Sequence, residues 1–411
     1  MSSLTDFCRE VSPQRGRTGA GMPAANWSDA MRMKALDGWR GIGALAVCFI
    51  HLQLNGYLTT APSLDSWTLA VDFFFVLSGF VIARVYADEL ADGERVAVFV
   101  VRRLGRLWPL HLSMLALFVV VELAKLALQR ETGFSPEHAA FVGARNPSDI
   151  LPIALFLQTA RLGPELTWNF PSWSISAEIW TYAVFALVAF RTAGNPGRRA
   201  AVAGAIALVA WLVLVVDITG RGMISTDVFG IVRCLLGFFS GVVAEHLHRR
   251  GSFRVLAGGR AEIPTALAGV ALVWATASLP EARYFAPVVF LALVFAHADD
   301  RGPLSRFMAT SPVQWLGRLS YSIYLTHLFL VAYVVPRLSQ TVDRLLPGET
   351  MLREGVVAAL YIALVMAFSL ATWRFIELPG QRFAAAIAGR IRQSQTLSSK
   401  YSRSQLEMTR L

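Results

Sequence analysis

The sequence of 411 residues predicts an all-α, polytopic membrane helix bundle of about ten spans with both termini cytoplasmic. Three observations lead there. The first is composition: apolar residues make up 55% and charged residues 16%, against about 25% charged in soluble domains. Mean hydropathy is +0.50. So few charges cannot clothe a water-facing surface, which argues against a disordered chain, a secreted disulfide scaffold and a water-soluble enzyme. The second is run length. A helical span needs roughly 20 apolar residues, and ten such runs are read at 36–57, 66–87, 104–129, 172–191, 199–219, 226–247, 262–279, 283–298, 317–337 and 354–376. The third is the distribution of basic residues. With the N-terminus inside, the inner segments hold 28 of the 38 Lys and Arg residues, the asymmetry that cytoplasmic loops carry.

Along the chain, residues 1–35 are polar and irregular and read as a disordered cytoplasmic tail. The first apolar run is too long for a signal-peptide core and carries Arg40 and His51, so it reads as a span. Within the 130–171 connection, DILPIALFLQTA (149–160) is apolar but short, which predicts an interfacial or re-entrant piece. An eleventh span there is the alternative, and it would invert everything downstream. The membrane domain is placed at 36–380, and 381–411 is a cytoplasmic tail, Ser-, Gln- and Arg-rich and disordered beyond about 385. The net charge of +10 does not point to nucleic acid, because the basic residues are scattered between apolar runs. Cys8, Cys48 and Cys234 show no paired spacing, so neither a disulfide nor zinc is expected.

Ionisable groups inside spans are expensive and therefore mark function. His51 lies eleven residues after Arg40. Eleven helical steps return to within roughly 20° of one face and rise about 16 Å. Arg40 would then sit at the inner edge and His51 near mid-membrane, an arrangement suited to a long ligand with phosphates at one end and a reactive group at the other. Arg102, Arg103 and Arg106 (RRLGR) open the third span. They are either a positive-inside anchor or a phosphate site, since guanidinium forks match phosphate. Asp72 in AVDFFFVLSGF needs a buried partner: a neighbouring His, whose imidazole it would orient, or Arg233. Ser174 and Glu178 in PSWSISAEIW share a helix face at i, i+4. They would hold an acceptor hydroxyl, pair with an Arg, or clamp two helices. Arg233 in IVRCLLGFFSG should be paired with Asp72 or Glu178. Tyr324 and His327 in LSYSIYLTHLFL share a face at i, i+3. Glu377 in FIELP is expected to pair with Arg374. No acidic cation site or HExxH motif appears, and no metal is expected.

These segments together resemble the acyltransferase-3 family of integral-membrane O-acyltransferases. The matching blocks are LDGWRGIGALAVCFIHL (36–52), VDFFFVLSGFVIARVY (71–86), RRLGRLWPLHL (102–112), WSISAEIWTY (173–182), VRCLLGFFSG (232–241), LGRLSYSIYLTHLFL (316–330) and IELP (376–379), in the family's order. Small departures are Ala70 and Phe73, where glycine and leucine are frequent. The resemblance implies transfer of an acyl group, usually acetyl, from acyl-CoA to a hydroxyl of a carbohydrate such as surface polysaccharide, lipopolysaccharide or a glycolipid, at the bacterial inner membrane. It places His51 on the essential histidine, Arg40 on the upstream basic position, Arg102 and Arg106 on the cytoplasmic arginine motif, and Ser174 and Glu178 on the Ser-x3-Glu motif.

The expected site follows. Catalysis falls to His51, with Asp72 fixing its tautomer and Glu178 beside the acceptor. Arg40, Arg102, Arg103 and Arg106 hold the nucleotide phosphates of acyl-CoA. Trp173, Ser174, Arg233, Tyr324 and His327 contact the acceptor. His51 either deprotonates the hydroxyl or is itself transiently acylated. The competing class is a secondary transporter or flippase, against which no inverted repeat or pair of interrupted helices is found.

Overall fold

The structure, a computed structural model, describes residues 33–52, 65–90, 95–132, 139–160, 167–217, 223, 226, 228–253, 255–256, 259–348 and 350–408. The longer helices are α1 (Lys34–His51), α2 (Leu69–Tyr86), α3 (Val96–Thr132), α4 (Trp173–Arg191), α5 (Pro196–Val215), α6 (Val228–Arg249), α7 (Glu262–Ser278), α8 (Ala286–His297), α9 (Ser311–Tyr333), α10 (Val335–Leu345), α11 (Thr350–Thr372) and α12 (Leu378–Met408). Helices dominate because hydrocarbon offers no partner for backbone N–H and C=O groups, and a helix satisfies them internally. Local chemistry sets several boundaries. Asn195 Oδ1 accepts from Arg198 N with Pro196 in the first turn of α5. The Asp300 carboxylate accepts from the N–H groups of Lys34 and Ala35 at 2.8 and 2.7 Å and so holds the start of α1.

Over its described residues, each of the ten expected runs overlaps a helix. Among the described residues, six helices are long and apolar enough to cross a membrane, seven if α9 and α10, bent by 57° at their junction, count as one. The others differ in kind: α1 carries Lys34, Asp37 and Arg40, α7 has 17 residues and α8 has 12. The molecule is thus an all-α, multi-pass bundle, with six or seven spans marked by length and composition.

Three expectations change. The first helix ends at His51, not at 57: Leu52 leaves helical geometry at φ −79°, ψ 76°, and 53–57 lie outside the described residues. His51 is therefore a helix-terminal side chain. The 149–160 stretch contains only the five-residue helix Ile150–Ala154, so an eleventh span is ruled out. Its carbonyls are held by α3, with Trp108 Nε1 donating to Ala154 O at 2.9 Å and His111 Nε2 lying 2.8 Å from Ile153 O. Finally, the chain beyond 385 is helical to Met408. Ala384 and Ala388 are buried, and a Cβ on Gly105 would lie 2.0 Å from Ala384 Cβ, so small residues let α12 lie against α3. Of the expected N-terminal tail, residues 1–32 lie outside the described residues.

Two close helix pairs position the site. A Cβ on Gly79 of α2 would fall 1.8 Å from Phe238 O, and one on Gly241 of α6 would fall 2.1 Å from Val76 O. Backbone-to-backbone approach of this kind needs glycine, and it supplies the van der Waals contact that drives helix association in lipid. Likewise α1 meets α9 at Gly41 and Gly317, where an added Cβ would lie 2.6 Å from Gly317 N and 2.4 Å from Asp37 O respectively. The second pair aligns the polar residues of α1 with those of α9 along their length.

Candidate active site

His51 ends α1 against α9. Its Nδ1 lies 2.8 Å from Val47 O and 3.2 Å from His327 Nε2. His327 Nδ1 lies 3.2 Å from Ile323 O. A carbonyl only accepts, so each ring carries its proton on Nδ1. His327 Nε2 then accepts, and the His51 Nδ1–H is shared between Val47 O and His327. The tautomers are assigned from this network. The consequence is chemical: His51 Nε2 holds the lone pair and makes no hydrogen bond among the described residues. Phe170 stands edge-on to the imidazole with centroids 5.0 Å apart, and His327 is wholly buried.

Ser174 and Tyr324 adjoin this pair. Their hydroxyls lie 2.8 Å apart, and Tyr324 donates to Pro171 O at 2.9 Å. The Tyr324 and His327 rings are 6.0 Å apart. Asn169 Nδ2 donates to Leu325 O at 2.9 Å, so the entry to α4 is pinned to α9 beside His327. Glu178, one turn further along α4, turns away from this group. It accepts from Ser78 Oγ of α2 and from Tyr182 OH, the latter at 2.6 Å.

Asp72 does not meet His51. Arg233 Nε donates to its Oδ1 at 3.2 Å and Arg233 Nη2 to its Oδ2 at 2.8 Å, with both side chains buried. The guanidinium also lies 5.2 Å over the Trp173 ring. Of the two partners open to Asp72, the structure brings Arg233, because the close α2–α6 approach places them side by side. The tautomer-setting position falls to Val47 O and His327. Trp173 and Arg233 belong to this ion pair, tying α2, α4 and α6 together.

The basic residues divide. Arg40 donates through Nε to Ser320 Oγ at 3.2 Å and through Nη2 to Asp37 at 2.6 Å. Arg106 is partly buried, within electrostatic reach of Arg40, Arg103 and Glu377. Arg103 donates to Tyr86 OH at 3.0 Å and also faces Tyr182. Arg40, Arg103 and Arg106 thus converge. Arg102 is turned toward Arg392, which pairs with Glu89 at 3.3 Å.

Sequence reasoning missed several members. Glu377 is not paired with Arg374: it is buried, accepts from Ser322 Oγ at 2.8 Å and Gln381 Nε2 at 3.0 Å, and faces Arg106 and Arg40. The cause is a π-helical turn over Trp373–Glu377, whose wider winding shifts Glu377 inward and leaves Arg374 exposed. Ser78 and Phe170 gave no signal of their own, whereas Tyr182 stands at i+4 from Glu178 and could have been read as its partner. A peripheral cavity of 710 Å³ and a second of 380 Å³ are lined by none of the predicted site residues. Polar side chains, not those cavities, define the candidate site. Among the described residues no group of three or more His, Cys, Asp or Glu is placed to hold a metal ion.

Comparison with known proteins bears on this arrangement. A family model described as an acyltransferase domain matches residues 33–374. The chain is 28% identical over 334 residues to the acyltransferase MdmB of Streptomyces mycarofaciens, covering 74% of this chain and 80% of that protein. It is 32% identical over 159 residues to protein 2 in the picA locus of Rhizobium radiobacter, covering 38% of this chain and 81% of that protein. No solved structure matches.

Proposed function

Because the chain belongs to the acyltransferase-3 family and is a membrane acyltransferase, we propose that it moves an acyl group, acetyl first, from cytoplasmic acyl-CoA to a hydroxyl of a carbohydrate acceptor. The acceptor belongs to a surface polysaccharide, a lipopolysaccharide or a glycolipid, with a small-molecule hydroxyl as the alternative, and the protein lies in the cell membrane with ten spans and both termini cytoplasmic.

The observation that carries the reading is His51 Nε2. Its partner nitrogen is committed to Val47 O and His327, so the lone pair is fixed on the atom left without a hydrogen bond among the described residues. In the proposed reaction Nε2 takes the hydroxyl proton as the oxygen attacks the thioester carbonyl. The carbon–sulfur bond then breaks, and the imidazolium returns the proton to the CoA thiolate. If the acyl group instead rests briefly on His51, Nε2 itself is the nucleophile: it displaces the CoA thiolate, and the acceptor hydroxyl then takes the acyl group from Nε2 and releases its proton. At the other end of α1, roughly 16 Å away by helical rise, Arg40, Arg103 and Arg106 would take the nucleotide phosphates. Glu377 is the buried carboxylate facing Arg106 and Arg40 in the absence of the donor. Ser174 and Tyr324 would hold the acceptor beside His327, and Glu178 would organise Ser78 and Tyr182 along the path between the two ends.

The test is thiol release from acetyl-CoA by purified protein in detergent, for wild type and His51→Ala, with and without a crude surface-glycan acceptor. Release that needs both His51 and glycan is the expected result. Full-rate release by His51→Ala removes the mechanism, and no release together with no CoA binding removes the donor assignment.

A further inference from the structure

The 710 Å³ cavity lies at the junction of α9, α11 and α12, on the outer side of the π-helical turn that carries Glu377 inward. Trp315, Leu370, Trp373, Phe375, Arg374 and Arg382 line it. Alanines of α11 and Leu378 complete the apolar lining, and no carboxylate is among the described lining residues. Trp315 and Trp373 meet edge to face at 5.7 Å, and the Arg318 guanidinium lies 5.1 Å over the Trp315 ring. Phe375 is 75% exposed and Leu370 46%. The groove stands where the chain leaves the span ending at 376, at the end of the bundle that the Lys/Arg bias assigns to the cytoplasm.

A groove lined by apolar residues of a spanning helix, two tryptophans and two arginines joins two chemistries. The apolar zone matches an acyl chain. The arginines match a phosphate, which a guanidinium holds bidentately. Tryptophan concentrates at the depth where those zones meet, and basic pockets between helices on the cytoplasmic side bind anionic head groups. We propose that this groove binds one anionic phospholipid of the cytoplasmic leaflet, its head group on Arg374 and Arg382 and one acyl chain along α11. The formal charge of the described lining is positive alone, which favours an anionic lipid over a zwitterionic one that brings its own cation. Occupancy would also brace the turn from which Glu377 faces Arg106. The assignment rests on the groove and not on the acyl-transfer reading.

The probe is native mass spectrometry of delipidated protein titrated with phosphatidylglycerol, phosphatidylcholine or inorganic phosphate. Wild type should retain one phosphatidylglycerol in clear preference to phosphatidylcholine. Arg374→Gln with Arg382→Gln should weaken phosphatidylglycerol binding roughly 25-fold, at about fivefold per arginine. Both side chains are exposed, so this variant should fold as wild type does. The matching Lys pair should keep most of the preference, and Leu370→Trp, which adds bulk to the apolar lining without touching charge, should block both lipids. Equal binding of the two lipids, or unchanged phosphatidylglycerol binding by the Gln pair, overturns the proposal. So does inorganic phosphate that binds alone with the same arginine dependence, which would make the ligand a free anion.

Discussion

One proton on His51 decides which of its nitrogens does chemistry. With Nδ1–H shared between Val47 O and His327 Nε2, the basic atom is Nε2. Loss of a general base commonly lowers the rate by about 10²–10⁴-fold, so kcat of His51→Ala should fall within or beyond that range while the detergent-solubilised protein keeps its melting temperature. His327 acts through His51 as a positioning residue. His327→Leu removes the acceptor of one hydrogen bond, worth about 1 kcal/mol, or roughly fivefold in rate. His327→Gln supplies an amide oxygen in the same region and should recover part of it. The measurement is kcat across this pair together with the pH profile, which a purely packing role for His327 would leave unshifted. Arg106→Ala should act elsewhere, raising KM for acetyl-CoA with kcat nearly unchanged if the phosphate contact is equal in ground and transition states. An unchanged KM would take Arg106 out of the donor site.

Between helices, the buried Asp72–Arg233 pair is read as a clamp. Removing one partner strands a charge, at about 3–5 kcal/mol, whereas replacing both by apolar residues is often neutral. Asp72→Leu should therefore lower the yield of folded protein, and Asp72→Leu with Arg233→Leu should restore it along with most of the turnover. A double variant that folds fully yet is inactive would return Asp72 or Arg233 to the chemistry. The clamp works because α2 and α6 approach backbone to backbone at Gly79 and Gly241. The other close pair, α1 with α9 at Gly41 and Gly317, brings His51 to His327.

For the whole molecule, the proposed ten-span topology puts the 130–171 connection outside and 249–260 inside. Single cysteines introduced at Ser148 and Ser252, in a background freed of Cys8, Cys48 and Cys234, test it in intact cells. A membrane-impermeant maleimide should label Ser148→Cys and spare Ser252→Cys. Labelling of both or of neither would mean an even number of spans between them, against the three proposed, and reversed labelling would invert the orientation.

Chain composition and the spacing of apolar and basic residues were enough to determine that this is an all-helical membrane protein, because hydrocarbon leaves a backbone few alternatives. The short, ordered blocks around Arg40, His51, Arg102, Ser174 and His327 were enough to mark the family and the candidate residues. Partners were another matter. Asp72 could have met a histidine or an arginine, and Glu377 could have met Arg374. Helix packing chose Arg233 for the first, and one π-helical turn chose Ser322 and Gln381 for the second. The end of α1 at His51 and the helix continuing to Met408 were equally outside reach, since no proline or glycine marks the first and the second runs through Ser- and Gln-rich sequence. Periodicity and hydropathy are local quantities. Which buried polar group satisfies which is settled only when helices meet, and there the tertiary structure decided.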